Sequence, residues 1–216
     1  MKHSKENKCQ LQITDTQPCV WSKLYLDLIG PLPCTEEGHK YILTCQDNLS
    51  QYLITQPLRN QTVDEVSEAL INRVFLLYGI PKIILTDQGS NFMSDVFKRI
   101  CKLFQIEKLN TVAYHPESNG ALERTHRTLV TYLRSYVDTK PSNWDQWLQF
   151  ASFTFNTTPH SITRYSPYEL LFGRKCNLPG ELEQKAQPLY NYDDIVSHKV
   201  QIARKSSHSS KEFNKI

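Results

Sequence analysis

The sequence lacks any apolar run approaching the ~20 residues of a membrane-spanning helix, and its first ten residues, Met1 to Gln10, are polar and lysine-rich. Neither membrane insertion nor secretion is expected. It also lacks any C-x-x-C pair. Its six cysteines, Cys9, Cys19, Cys34, Cys45, Cys101 and Cys176, are scattered singly, which argues against a complete zinc site and for reduced thiols inside a cell. Charge of one sign is missing as well, since 25 basic residues face 22 acidic ones for a net +3. Global charge therefore does not establish nucleic-acid binding, and such a role has to come from local arrangement. There is no internal repeat. What remains is 216 residues with 39% hydrophobic content, enough for one main globular domain with short appendages.

Three strand-like segments come first: Leu24 to Ile29, closed by Gly30-Pro31, then Tyr41 to Cys45, then Tyr52 to Thr55. The turn Asp47-Asn48-Leu49-Ser50 between the last two carries side chains that bond their own backbone, so an antiparallel meander is expected. A helix is predicted over 63–78, with Thr62 and Glu65 as a capping-box pair, apolar residues at steps of three and four, and Gly79 as its stop. A buried strand, Ile83 to Leu85, then delivers Asp87. A second helix runs from about Asp95 to Phe104 with Ser94 as N-cap, and a last strand covers about Leu109 to Ala113. Residues 114–120 read as a loop, and beyond it a long helix extends to about Val137. Further helices are expected near 144–155, 167–172 and 194–204. Strands alternating with helices after a meander predict an α/β domain built on a mixed sheet.

Three acids stand out. Asp27 interrupts the apolar stretch Leu24-Tyr25-Leu26-Asp27-Leu28-Ile29, where a buried carboxylate is costly unless paired or bound to a cation; an edge strand would instead leave it in water. Asp87 follows the fourth strand, although Asp-Gln-Gly is also ordinary turn chemistry. Glu123 comes after 35 intervening residues on the long helix. There it shares a face with Arg127, Val130 and Arg134, while Leu122, Leu129, Leu133 and Tyr136 share another. A solvated Glu-Arg pair at i,i+4 is the bland alternative. Taken together, the acids suit two-metal phosphoryl transfer, in which carboxylates from separate elements hold two Mg²⁺ ions roughly 4 Å apart. Asp47 reads as a turn residue. Arg124, Arg127 and Arg134 are candidates for phosphate contacts, which position a duplex without reading its sequence.

Several motifs in the same order carry a resemblance. They are Leu26-Asp27, Thr86-Asp87-Gln88-Gly89-Ser90-Asn91-Phe92, His115-Pro116-Glu117-Ser118-Asn119-Gly120 followed by Glu123-Arg124, Phe155-Asn156, and Ser166-Pro167-Tyr168-Glu169-Leu170-Leu171-Phe172-Gly173-Arg174. Over residues 13–175 the chain resembles the catalytic core of retroviral and gypsy-type retrotransposon integrases. The resemblance implies a ribonuclease-H-like fold, a five-stranded mixed sheet flanked by helices. It also implies an Asp27, Asp87, Glu123 triad binding two Mg²⁺ (or Mn²⁺) ions, and the cutting and joining of DNA ends to target DNA in the nucleus, by a homo-oligomer when active. His115 and Asn119 would join the three arginines in touching DNA. Residues 1–12 are expected to be the remnant of an N-terminal zinc module, with Cys9 in place of its final cysteine. Residues 176–216 are expected to be a linker and loose tail, and the chain is expected to be a fragment or degenerate copy of such an element. The competing readings are a non-catalytic nucleic-acid-binding or interaction protein derived from such an element, and a plain ribonuclease or transposase of the same fold.

Overall fold

The computed structural model describes residues 19–87, 89–110, 116–137, 141–161 and 163–178, with only the backbone described at 90 and 116–122. The zinc-module remnant, the helix expected at 194–204 and all but the first three residues of the tail lie outside the described residues.

Five strands form one sheet in the order β3-β2-β1-β4-β5. The meander is β1 (Lys23–Ile29), β2 (Tyr41–Asp47) and β3 (Leu53–Leu58), all antiparallel. On the other side of β1, β4 (Ile83–Thr86) and β5 (Glu107–Asn110) run parallel to it. β1 is thus the central strand, and the edge position that would have left Asp27 in water does not apply. Period-two alternation resolves the puzzle of an acid among apolar neighbours. Leu24, Leu26 and Leu28 join the core on one face of the sheet, and Asp27 faces the other way. β1 stops at Gly30, where φ is +144° and a Cβ would lie 2.8 Å from the Lys40 carbonyl. Only glycine tolerates that conformation and approach.

Helices cover both faces. On one, Val66, Leu70, Val74 and Phe75 pack with Phe97 and Cys101 against Leu24, Leu26, Leu43 and Ile84. These residues come from α1 (Val63–Leu70), a π-helical turn (Ile71–Phe75) running into α2 (Leu76–Tyr78), and α4 (Asp95–Leu103). On the opposite face, α5 (Pro116–Tyr136) and α6 (Trp144–Thr157) bring Leu129, Leu133, Leu148 and Ala151 onto Ile42 and Leu53. Each valine, leucine, isoleucine or phenylalanine so buried contributes about 1.5–3 kcal/mol. Short helices α3 (Ser90–Met93) and α7 (Pro167–Phe172) complete the set.

Local expectations are met unevenly. Ser94 caps α4, its hydroxyl accepting from Phe97 N–H at 3.2 Å, and Ser166 forms a full capping box with Glu169 at α7. Thr62 makes no side-chain cap. Glu65 instead accepts from the backbone N–H groups of Arg59 and Asn60 at 2.6 and 2.9 Å, holding the chain that leaves β3. The loop expected at 114–120 is already helical from Pro116, with proline at the first helical position, where its missing N–H costs nothing. The last strand lies at 107–110, nearer the start of the chain than expected.

One device escaped the sequence reading. Asn156 on α6 accepts from Leu53 N–H and donates to the Leu53 carbonyl, both at 2.8 Å. Thr55 and Ser152 hydroxyls meet at 2.6 Å, and Gln149 donates to the Thr55 carbonyl at 2.9 Å. A polar stripe at helical spacing therefore stands in for a sixth strand and satisfies the edge of β3.

Candidate active site

The parallel pairing of β1 and β4 sets Leu26 beside Thr86. One residue further on, just past the last pair, Asp27 and Asp87 come close enough for the charge of one to act on the other, and the Asp27 side chain lies against His126 of α5. Asp87 is exposed and turns back on its own loop. Its Oδ1 accepts from Gly89 N–H at 2.9 Å, and a Cβ on Gly89 would press on that same oxygen at 2.9 Å. The turn chemistry read from Asp-Gln-Gly is real, and it fixes the carboxylate where β4 ends.

Asp27 is only 26% exposed, and its Oδ1 accepts from Leu28 N–H at 2.8 Å. Burial is the main reason its carboxyl is pushed up to about 6 from 3.8; the Leu28 bond opposes this, and the charge of Asp87 adds to it. Two carboxylates so placed repel each other unless a cation neutralises them. All their donor atoms are oxygens, the set Mg²⁺ prefers. The residues present fit the ion.

Glu123 is carried by α5 with its side chain 71% exposed, its Oε1 accepting from Arg127 Nη2 at 2.9 Å. The structure thus brings the first two acids together and turns the third toward solvent in an i,i+4 pair. Arg124, Arg127 and Arg134 are exposed on the same helix, while Leu129 and Leu133 are buried, so the two faces read from periodicity exist. His115 lies outside the described residues. Asn119 is placed on the first turns of α5 rather than in a loop, and its side chain lies outside the description.

Two neighbours were missed. His126 presents Nδ1 3.7 Å from Asp27 Oδ2, and its Nε2 lies 3.0 Å from Thr44 Oγ1. Next to it, Thr125 Oγ1 accepts from Gln46 Nε2 at 3.1 Å. Both tie α5 to β2. The available signal was helical spacing: His126 falls about 60° from Glu123, between the apolar and basic faces.

Other acids are accounted for structurally. Asp47 is fully buried and accepts from Trp21 N–H, Ser50 N–H and the Ser50 hydroxyl at 2.8, 2.8 and 2.7 Å, as its turn context suggested. Glu37, His39 and Asp145 offer ligand atoms within 4.8 Å of one another, which the Asp27, Asp87, Glu123 set does not. Yet His39 Nδ1 already meets Asp145 Oδ2 at 2.7 Å, a complete pair that fastens the β1–β2 connection to the start of α6.

Comparison with known proteins bears on the family and the fold. Residues 18–116 match the integrase core domain family. Over 214 residues, 95% of the chain, the sequence is 36% identical to the retrovirus-related Pol polyprotein from transposon 412 of Drosophila melanogaster, of whose length it spans only 17%. The fold is similar to that of a chain in the structure of the simian T-cell lymphotropic virus intasome in complex with PP2A regulatory subunit B56 gamma, with a TM-score of 0.65 at 20% identity, covering 82% of this chain and 62% of that one. It is also similar to the HTLV-2 integrase catalytic core domain in complex with magnesium, with a TM-score of 0.57 at 20% identity, covering 69% of this chain and 95% of that one.

Proposed function

The chain carries an integrase core domain of the retroviral and gypsy-type retrotransposon family, and from that premise we propose that it is a metal-dependent polynucleotidyl transferase that processes DNA ends and joins them to target DNA. Asp27, Asp87 and Glu123 hold two Mg²⁺ (or Mn²⁺) ions in this reading. The observation that supports it is the parallel pairing of β1 with β4, which brings Asp27 and Asp87 close just past Leu26 and Thr86, with Asp27 against the helix that carries Glu123. A carboxyl pushed up to about 6 is a poor anion on its own and a good one beside a divalent cation. When bound, the ions supply charge stabilisation at the phosphoryl group and activation of the attacking oxygen.

The chain's own residues do the rest. Asp87 is pre-set by the Gly89 N–H, and Asp27 by the Leu28 N–H, so neither has to reorganise when charge develops nearby. Glu123 would join the other two acids by leaving its exposed pair with Arg127, a pair worth only about 0.3–0.5 kcal/mol. Arg124, Arg127 and Arg134 then face the DNA backbone from α5. The work takes place in the nucleus, in a homo-oligomer that brings DNA ends and target together.

The test is strand joining on preassembled branched DNA with Mg²⁺ or Mn²⁺. Product that depends on the metal and disappears in Glu123→Gln supports the reading. A second reading, a DNA-binding protein without catalysis, is favoured by Glu123 being held by Arg127 rather than with the other acids. Metal-independent DNA binding with no joined product at any metal concentration would select it.

A further inference from the structure

His126 is the residue that links the first acid to the helix bearing the third. It sits one turn after Glu123 on α5, its side chain 18% exposed, wedged between that helix and the sheet. Thr44 is the cross-strand partner of Asp27, and its hydroxyl lies 3.1 Å from the Asp27 carbonyl oxygen and 3.0 Å from His126 Nε2. On the other side of the ring, Nδ1 stands 3.7 Å from Asp27 Oδ2. The imidazole therefore touches both the backbone partner and the side chain of a single strand position.

We propose that His126 is a positioning residue for Asp27: it pins α5 to β2 through Thr44 and turns its Nδ1–H toward the Asp27 carboxylate, fixing the first acid relative to the helix that carries Glu123. This rests on the metal-dependent reading above. The tautomer follows from the surroundings. Beside an ionised Asp27 carboxylate, which can only accept, Nδ1 must carry the ring proton, and Nε2 then accepts the Thr44 hydroxyl proton, which turns to the ring from the Asp27 carbonyl that it otherwise reaches at 3.1 Å. At 3.7 Å the Nδ1–Oδ2 contact is long for a hydrogen bond, and a movement of less than 1 Å closes it. Such contacts tighten when the site is loaded. Groups that orient metal ligands from behind typically cost 10- to 100-fold in metal affinity when removed.

The side chain offers a clean dissection, because asparagine places its amide near the position of Nδ1 and glutamine places its amide near that of Nε2. Mn²⁺ binding is titrated by the electron paramagnetic resonance signal of free Mn²⁺ for the parent, His126→Leu, His126→Asn and His126→Gln, with thermal melting of each. We expect His126→Leu and His126→Gln to bind Mn²⁺ about tenfold more weakly and His126→Asn to stay within threefold of the parent. A His126→Leu protein that melts like the parent and binds Mn²⁺ equally well overturns the proposal. So does a His126→Asn protein no better than His126→Gln, which would reduce His126 to packing; that comparison stands even if His126→Leu does not fold. A parent that binds no Mn²⁺ takes down the metal-dependent reading itself, an outcome distinct from either of these.

Discussion

Replacing Asp27 by asparagine should stabilise the fold at neutral pH while destroying the metal site. The carboxyl is raised from 3.8 to about 6, chiefly by burial, so the folded chain keeps its proton over a pH range in which the unfolded chain has released it. Between about pH 4 and 6 the folded state therefore binds more protons, and this group makes the protein less stable as pH rises through that window. The interval between the two values corresponds to about 3 kcal/mol. Asparagine fills the same space, still accepts from Leu28 N–H, and has no charge to desolvate. The gain for Asp27→Asn is thus about 3 kcal/mol above pH 6 and falls to zero below about pH 4.

The neighbouring His126 makes this prediction sharper. Burial lowers it from 6.5 to about 4, so below pH 6.5 the unfolded state takes up a proton that the folded state refuses, and stability is lost as pH falls toward 4. In the parent the two groups oppose each other across almost the same window, and the sum is nearly flat. Asp27→Asn removes one of them. Its stability should then decline as pH falls from 6.5 to 4, while at pH 7.5 it melts several degrees above the parent, at about 2–4 °C per kcal/mol. Chemical denaturation at pH 4, 5, 6 and 7.5, with and without Mg²⁺, measures all of this. Mg²⁺ should raise the stability of the parent but not of the variant. An Asp27→Asn protein less stable than the parent at pH 7.5, or one whose advantage does not depend on pH, would show that the Asp27 carboxyl is not strained by burial.

Glu123→Gln should abolish strand joining yet melt within about 2 °C of the parent, because an exposed side chain in a solvated pair contributes at most about 0.5 kcal/mol; retention of joining would remove Glu123 from the site. Arg127→Ala and Arg134→Ala should each lower the slope of log affinity for DNA against log salt by about 0.9, and an unchanged slope in both puts the DNA elsewhere. Arg127→Ala should also alter Mn²⁺ affinity by less than about threefold, since releasing Glu123 from an exposed pair is worth so little. Asn156→Ala leaves both the N–H and the carbonyl of Leu53 without their side-chain partner, and should cost about 2–4 kcal/mol in urea denaturation; a loss under 1 kcal/mol would mean that water replaces both bonds.

How much of this was legible depended on whether a single period explained a segment. The apolar stretch of β1 closed by Gly30-Pro31, the apolar steps over 63–78 and along α5, and the Ser94 cap of α4 placed the elements to within a few residues. Asp87 was found because a short apolar strand ended in a turn sequence. Asp27 was found because it broke a run, although period two alone could not say whether β1 was central or at an edge; only the pairing with β4 decided that. The polar residues that join elements were not legible. Asn156, Ser152 and Gln149 look like a hydrophilic helix face until β3 is laid against them, and the partner of Glu65 was the backbone before the helix rather than Thr62. His126 was lost for the same reason, because sorting α5 into an apolar and a basic face leaves no place for a residue lying between them.

That intermediate direction on α5 is where stability and chemistry meet. Leu129 and Leu133 hold the helix by burial, which is tolerant of small shifts along the axis. The contacts Thr125–Gln46 and His126–Thr44 are directional and are lost within about 1 Å of displacement. Burial therefore supplies the adhesion of the helix and the two polar contacts supply its register. Register sets how far the Glu123 backbone stands from Asp27, and so whether its side chain reaches the other acids. A substitution at Leu133 that empties core volume should lower melting temperature with a modest effect on metal binding, whereas one at His126 should do the reverse. The opposite order, with metal affinity tracking core volume and indifferent to His126, would mean that the third acid is set by packing alone.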